Sequence, residues 1–400
     1  MTRLVRTLLF STLYPSSVRP LHGIFVETRL RELLKSGQVE TRVVAPVPWF
    51  PSRHTRWGTY ASYASTPKRE RRNGVDVLHP RYLLLPKVGM TSAPLLMALA
   101  AASSVRQLLD EGFDFDLIDA HYYYPDGVAA ALLAKWFGKP LTITARGSDL
   151  TVLTKFRLPL KMMRWAAGRA DASIGVCTAL ANVFLDWGVA KKRVHVMRNG
   201  VDTQRFRPRQ DSDVPGTGSH YGKPLLLSVG RLVELKGHYL VIEALKAVRL
   251  SYPAACLIIV GEGPELSALK ALVTRFDLDH AVTFVGSVPQ QELCNWYAAA
   301  DLMILASSSE GWANVLLESM ACGTPVLSTR LWGTPEVVAS DHVGLLVDRR
   351  DVASLTEGIM ALLAVPRDRD AVRKYAEGFG WAHTTQSQLD LFGQLAVGVE

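Results

Sequence analysis

Residues 302–326 read LMILASSSEGWANVLLESMACGTPV, and this run decides how the chain is built. An apolar stretch over 301–306 predicts a strand. A turn carrying Glu310 and Gly311 follows, the spacing predicts a helix over 312–321, and a second strand is expected over 325–329. Strand, helix and strand in that order and at those lengths are the repeating unit of a parallel sheet. The first N–H groups of such a helix have no partner within it. Together with the helix dipole they make a site for an anion. Gly311 lets a ligand approach the backbone. Glu310 stands at the mouth of this turn, suited to sugar hydroxyls. Glu318, about two turns into the helix, suits the paired hydroxyls of a ribose.

The same rhythm extends outward in both directions. In the first half strands are expected over 4–11, 40–46, 74–80, 116–120, 140–145, 172–176 and 193–197, with helices over 23–35, 91–109 and 127–137. In the second half they are expected over 225–230, 256–261, 281–286, 301–306, 325–329 and 344–347. Residues 207–223 break the pattern with Pro, Gly, Ser and Asp, and read as a linker. The expected architecture is therefore α/β with two Rossmann-like parallel-sheet domains facing a central cleft. The expected domains are 1–206 and 224–378, with 379–400 a helix packing back towards the first. Four hundred residues suit two hydrophobic cores.

Two further segments in the second half carry chemistry. VGRLVELKG, 229–237, places Arg231 and Lys236 on a loop at the carboxyl end of a strand, where two cations can hold a diphosphate as it leaves. Such residues are ordinarily only solvated; the position after a strand is what singles them out. GEGPE, 261–265, is half of a GxGxxG fingerprint and reads as a tight strand-to-helix turn. The DxD at 114–116 precedes a strand and reads as a polar turn, with no metal role. Cys177, Cys256, Cys294 and Cys322 are scattered without a CxxC pair, which argues against a zinc site or disulfide framework. No nucleophile motif such as GxSxG is present.

These segments resemble the family 4 retaining glycosyltransferases of the GT-B fold. Glu310 and Glu318 match the family's Glu-x7-Glu pattern. Gly230, Arg231 and Lys236 match its basic loop, and the matched order runs through nearly the whole second half. The resemblance implies a metal-independent, retaining hexosyltransferase with no cofactor beyond its nucleotide-diphosphate sugar co-substrate. In it Glu310 meets the donor sugar, Glu318 the ribose, and Arg231 and Lys236 the diphosphate. Gly311, Trp312, Ala313 and Asn314 line the donor at the helix start, and Val288 meets the base through its backbone. In the first half RNGVD, 198–202, resembles the family's interdomain motif and places Asn199 at the cleft. PLHGIF, 20–25, resembles its glycine loop, with Gly23 as a donor-phosphate contact and His22 where a second glycine is usual. His121, directly after a strand, matches the His that orients the reacting sugar. TARGSDL, 144–150, departs from the pattern: Arg146 stands where the family usually has His. Arg146 and Asp149 are expected on the acceptor side.

The charge is uneven. Residues 1–208 hold 30 Lys and Arg against 15 Asp and Glu, net +15; the remainder hold 15 against 22, net −7. Basic residues are interleaved with aromatic and apolar ones in 49–72 (Arg53, Arg56, Trp57, Tyr60, Tyr63, Lys68, Arg69, Arg71, Arg72) and in 155–169 (Phe156, Leu158, Met162, Met163, Trp165). The first domain is expected to meet an anionic membrane surface. No nucleic-acid motif accompanies the charge. No run reaches the ~18 apolar residues of a membrane span. Arg6 interrupts the apolar start, so a buried first strand is expected rather than a leader. The expected setting is cytoplasmic, on the inner face of the plasma membrane. The acceptor is expected to be a glycan or lipid-linked glycan of cell-surface polysaccharide. A nucleotide-sugar epimerase of the same fold and a non-catalytic GT-B binding subunit are the alternatives. The first lacks an evident set of acids and bases, and the intact Glu310, Arg231 and Lys236 speak against the second.

Overall fold

A computed structural model of the chain describes residues 4–84, 89–208 and 221–397. It divides into two units, Met1–Asn199 with Ala382–Glu400, and Gly200–Trp381. Of the expected linker, residues 209–220 lie outside the described residues.

In the first unit the strands are β1 (Val5–Phe10), β2 (Val39–Val44), β3 (Val47–Pro48), β4 (Arg69–Arg72), β5 (Val75–Leu78), β6 (Arg81–Tyr82), β7 (Leu117–His121), β8 (Leu141–Ala145), β9 (Ala172–Gly175) and β10 (Val194–Val196). Eight of them form one sheet in the order β10-β9-β8-β7-β1-β2-β5-β4. Every pair in it is parallel except β4 with β5. That antiparallel edge was not anticipated, although its turn is legible. Asn73 and Gly74 both have positive φ (47° and 82°) and link Arg72 to its register partner Val75. Asn-Gly is the pair that a two-residue hairpin of this hand prefers. The hairpin also accounts for some of the basic stretch: Arg69 is paired with Asp76 and Glu111, and Arg72 with Glu27.

In the second unit β11 (Leu225–Val229), β12 (Cys256–Val260), β13 (Val282–Gly286), β14 (Leu302–Leu305), β15 (Val326–Thr329) and β16 (Gly344–Val347) form an all-parallel sheet in the order β13-β12-β11-β14-β15-β16. Strands buried on both faces must be apolar at nearly every position, and LLLSV and CLIIV are. Leu226, Leu257, Ile259, Leu302, Ile304 and Leu327 join one core with Val241, Leu245, Leu355 and Ile359 of the covering helices.

The helix Trp381–Val397 belongs to the first unit from Ala382 onward. Leu391, Phe392 and Ala396 pack with Val5, Val39, Leu117, Ala172, Ile174 and Met197. The helix Gly89–Asp110 is long and apolar enough to cross a membrane, yet it buries Ala93, Met97, Ala101, Val105 and Leu108 within its unit. That is the pattern of a core helix. Phe392 is fully buried, so Phe392→Ala is expected to cost about 3–5 kcal/mol of first-unit stability, read as a lower urea midpoint at unchanged slope.

Candidate active site

Both sheets reverse their direction of growth beside the first strand laid down, and ligands of open α/β sheets bind outside the carboxyl ends at such a reversal. In the second sheet the reversal lies between β11 and β14. The loops leaving those two strands are the two segments that the sequence singled out.

Backbone contacts lock these loops together. Ser308 N donates to Leu235 O at 2.8 Å. Arg350 donates from Nε to Ala306 O at 2.8 Å and from Nη2 to Glu234 O at 3.0 Å, so one side chain staples both loops. Gly237 has φ 69°, and a Cβ there would stand 2.1 Å from Ala306 O. The GEGPE turn packs in the same way: Cβ atoms at Gly261 and Gly263 would meet Gly230 O at 1.9 Å and Leu232 O at 2.2 Å. Its glycines are thus explained by the support they lend to the 230–237 loop.

The result is that Lys236 Nζ lies 2.5 Å from Glu310 Oε1, and Ser307 Oγ donates to the same oxygen at 2.6 Å. Arg231, on the same loop as Lys236 and following Gly230 (φ 154°), is exposed. The helix begins at Asn314, later than expected, because Ala313 has φ −83° and ψ 80°, outside the helical region. Gly311, Trp312 and Ala313 are therefore loop, and no side chain caps the helix start. Glu318 is held inside this helix: its Oε2 accepts from the Tyr297 hydroxyl at 2.9 Å. Burial raises its pKa, against the pull of Tyr297 and Gln290. Val288 is half-buried in the loop after β13. His238, the first residue of the next helix, is buried behind the basic loop and bonded to Ser228 Oγ at 2.9 Å. Burial pushes its pKa down to about 4.

In the first unit the reversal lies between β1 and β7. The Asp126 carboxylate bridges the two loops there, accepting from Thr12 N at 2.7 Å and Thr12 Oγ1 at 2.9 Å. Burial pushes its pKa up to about 7. Gly23 starts the first helix with φ 63°, and a Cβ on it would collide with Leu13 O, at 1.5 Å. A close backbone crossing thus already requires this glycine.

His121 ends β7 on the same face as Asp119, two residues earlier. Its Nε2 lies 3.1 Å from Asp119 Oδ2, and its Nδ1 accepts from Arg146 Nη2 at 2.5 Å. Arg146 Nη1 donates to Asn199 Oδ1 at 3.0 Å, which brings together three expected site residues, His121, Arg146 and Asn199. Burial pushes the His121 pKa down to about 4, outweighing the attraction of Asp119, so the ring is neutral near pH 7. With both nitrogens engaged, the ring has none left for a sugar hydroxyl in this state. Asp149 is fully buried. Its oxygens accept from the backbone amides of Tyr123 (2.8 Å), Gly147 (2.7 Å) and Arg146 (3.1 Å), so it shapes the Arg146 loop from within.

Several of these partners were not anticipated. Asp119 was legible as the residue two before His121 on one strand face. Asp126, Tyr297 and Arg350 are contacts across the fold and carry no local signal. In the DxD run Asp114 pairs with Lys139 and Asp116 accepts from Arg6 N at 2.8 Å. Among the described residues no group of three or more His, Cys, Asp or Glu could hold a metal ion. Cys294 and Cys322 are buried, with their sulfurs 3.9 Å apart and no disulfide between them.

Residues 210–379 match the family described as Glycosyl transferases group 1, and residues 85–205 match Glycosyltransferase Family 4. The chain is 29% identical over 365 residues to TuaC of Bacillus subtilis (strain 168), a glycosyltransferase named for teichuronic acid biosynthesis, covering 89% of this chain and 88% of that one. It is 30% identical over 315 residues to the D-inositol 3-phosphate glycosyltransferase of Arthrobacter sp. (strain FB24), covering 74% of each. Among solved structures it is similar to sucrose-phosphate synthase from Thermosynechococcus elongatus, with a TM-score of 0.77 at 20% identity, covering 99% of this chain and 100% of that one.

The depressed histidines have a consequence for stability. Below pH 6.5 the unfolded chain takes up protons that His121 and His238 refuse in the native state until about pH 4. Their contribution is therefore complete above pH 6.5 and is lost as pH falls towards 4. His121→Gln and His238→Gln are each expected to flatten the decline in urea midpoint between pH 6.5 and 4. A decline as steep as in the unaltered chain would contradict the burial of a neutral ring.

Proposed function

The chain belongs to the GT-B-fold glycosyltransferases related to group 1 and family 4, and on that premise we propose that it works as a retaining, metal-independent enzyme of the family 4 kind. It moves a sugar from a nucleotide-diphosphate sugar to a hydroxyl of a glycan or lipid-linked acceptor in cell-surface polysaccharide biosynthesis. The observation that carries this reading is the Lys236–Glu310 pair at the reversal of the second sheet, with an uncapped helix start beside it and Glu318 on that helix.

Each group then has a task. Arg231 and Lys236 neutralise the diphosphate, which also meets the backbone between Gly311 and Asn314. As the bond from the anomeric carbon to the diphosphate oxygen breaks, charge grows on that oxygen, and fixed cations favour this change more than they favour the ground state. The acceptor hydroxyl attacks the anomeric carbon on the face the diphosphate leaves, and a departing phosphate oxygen takes its proton. Glu310 orients the donor sugar and also keeps Lys236 in place before the donor arrives. Glu318 receives the ribose hydroxyls and Val288 the base. In the first unit Arg146, whose Nε alone is buried without a hydrogen-bond partner among the described residues, is the cation offered to an anionic acceptor. TuaC and the Arthrobacter relative are named for teichuronic acid biosynthesis and for D-inositol 3-phosphate, an acid and a phosphate, which agrees with a cation there.

The membrane reading gains support from surface residues. β3 and β6 extend beyond the carboxyl ends of β2 and β5, and Trp49 N donates to Tyr82 O at 2.7 Å as the chain leaves them. Trp49, Trp57, Tyr60, Leu83, Leu84 and Met90 are exposed in this region. Phe50 stacks with Trp57 and Tyr60, and Arg56 lies over Trp57. Aromatic rings beside arginines suit the headgroup layer of an anionic bilayer.

Four measurements test these assignments. Without added metal, one nucleoside diphosphate and its sugar conjugates are expected to raise the melting temperature, and the product is expected to keep the donor's anomeric configuration by NMR. Lys236→Ala is expected to lower turnover about 100-fold or more, whereas full turnover would remove Lys236 from the reaction. Sedimentation with phosphatidylglycerol vesicles at low salt, lost in phosphatidylcholine and weakened by Trp49→Ser with Trp57→Ser, is expected if the aromatic surface docks. Equal recovery with neither lipid would end the membrane reading.

A further inference from the structure

We propose that Gln388, on the C-terminal helix, is a positioning residue: its amide bridges Arg29 to Asp119 and so locks His121 as the Nε2–H tautomer that offers Nδ1 to Arg146. The four partners Arg29, Gln388, Asp119 and His121 are each 3% exposed or less. Arg29 Nε donates to Gln388 Oε1 at 3.1 Å, and Gln388 Nε2 donates to Asp119 Oδ2 at 3.3 Å. Arginine can only donate and an ionised carboxylate can only accept, so the amide has one allowed orientation.

The Asp119 carboxylate is held from two further directions, by Thr142 Oγ1 at 2.8 Å and by His121 Nε2 at 3.1 Å. A carboxylate at Nε2 requires the proton there, and that leaves Nδ1 as an acceptor. The alternative tautomer would point an N–H at the Arg146 guanidinium, donor against donor. The arrangement thus transmits one polarity from the C-terminal helix to the carboxyl end of β8.

Two observations indicate that this chain serves a ligand and not stability alone. Arg146 Nε and Thr144 Oγ1 are buried without hydrogen-bond partners among the described residues. Thr144 is the register partner of His121, so both orphaned atoms flank the ring. Unsatisfied donors beside the reversal of a parallel sheet mark where an acceptor atom of a ligand is received.

The inference rests on the glycosyltransferase reading only for its kinetic arm. The other arm is the ¹⁵N spectrum of the His121 ring in the full-length chain at pH 7. A neutral ring protonated at Nε2 is expected, and in Gln388→Leu a mixture of tautomers. Kinetics use UDP-glucose and GDP-mannose hydrolysis, following release of the nucleoside diphosphate. With a donor that the unaltered chain hydrolyses, Gln388→Leu is expected to lower kcat about tenfold, the scale seen for residues that orient other functional histidines, with KM unchanged. A His121 ring protonated at Nδ1 in the unaltered chain overturns the proposal even if the variant fails to fold. So does an unaltered tautomer in a folded Gln388→Leu. Loss of hydrolysis with every donor in the unaltered chain would count against the glycosyltransferase reading and leave the tautomer result standing.

Discussion

At the carboxyl edge of the second sheet, backbone packs directly on backbone. The loop 230–237 rests on the turn 261–265 from one side and on the strand end at Ala306 from the other. Neither contact has room for a Cβ at Gly237, Gly261 or Gly263. Because the supports are peptide groups and not flexible side chains, the loop has little freedom to shift. The position of Lys236 is set by that stack and by the Arg350 staple. A cation that must neutralise charge as a bond breaks is useful only if it is in place beforehand, since moving it during the reaction would cost part of the gain.

The two units solve the problem of placing charge in opposite ways. In the second unit Lys236 and Arg231 remain partly open to solvent and Lys236 is balanced by Glu310, an arrangement that leaves room for the diphosphate of the proposed donor. In the first unit the charged groups are buried and buffered by neutral ones. Gln388 separates Arg29 from Asp119, and a neutral His121 separates Asp119 from Arg146. Burial lowers the His121 pKa to about 4 and raises that of Asp126 to about 7, so the region carries less charge than its composition suggests. Of the 30 Lys and Arg of residues 1–208, Arg69 and Arg72 are engaged by Asp76, Glu111 and Glu27, pairings that the net +15 already counts. The exposed apolar groups beside basic residues that the proposed membrane contact would use are Trp49, Trp57 and Tyr60 in one stretch and Phe156 and Leu158 in the other.

All thirteen strands expected from apolar runs are found, to within two residues at either end. Those buried on both faces were legible because they must be apolar at nearly every position, whereas β2 (VETRVV) and β5 (VDVL) show alternation or a mixed pattern and β10 (VHV) is only partly buried. The short strands β3, β4 and β6 were not anticipated. RERR on an edge has no apolar face to reveal it, and only the Asn73–Gly74 turn announces the hairpin. The late start of the helix at Asn314 has the same kind of cause: Trp312 and Ala313 have helix-compatible side chains, and only their tertiary setting keeps them out of the helix.

The sequence by itself determined the α/β class, the two-sheet organisation and the residues Arg231, Lys236, Glu310 and Glu318, because each follows from short-range order: a strand, a loop of known length, a helix start. It also singled out His121 by its place at a strand end. What only the tertiary structure decided is which groups those residues meet. That Lys236 faces Glu310, 74 positions away, depends on the strand order that sets β14 beside β11. That His121 is neutral and fully engaged depends on burial and on Asp119 and Arg146, and Asp119 in turn meets Gln388, 269 positions away. Burial and cross-fold partners shift protonation and orientation by amounts comparable to the chemistry itself. Neither is a property of any local stretch of chain.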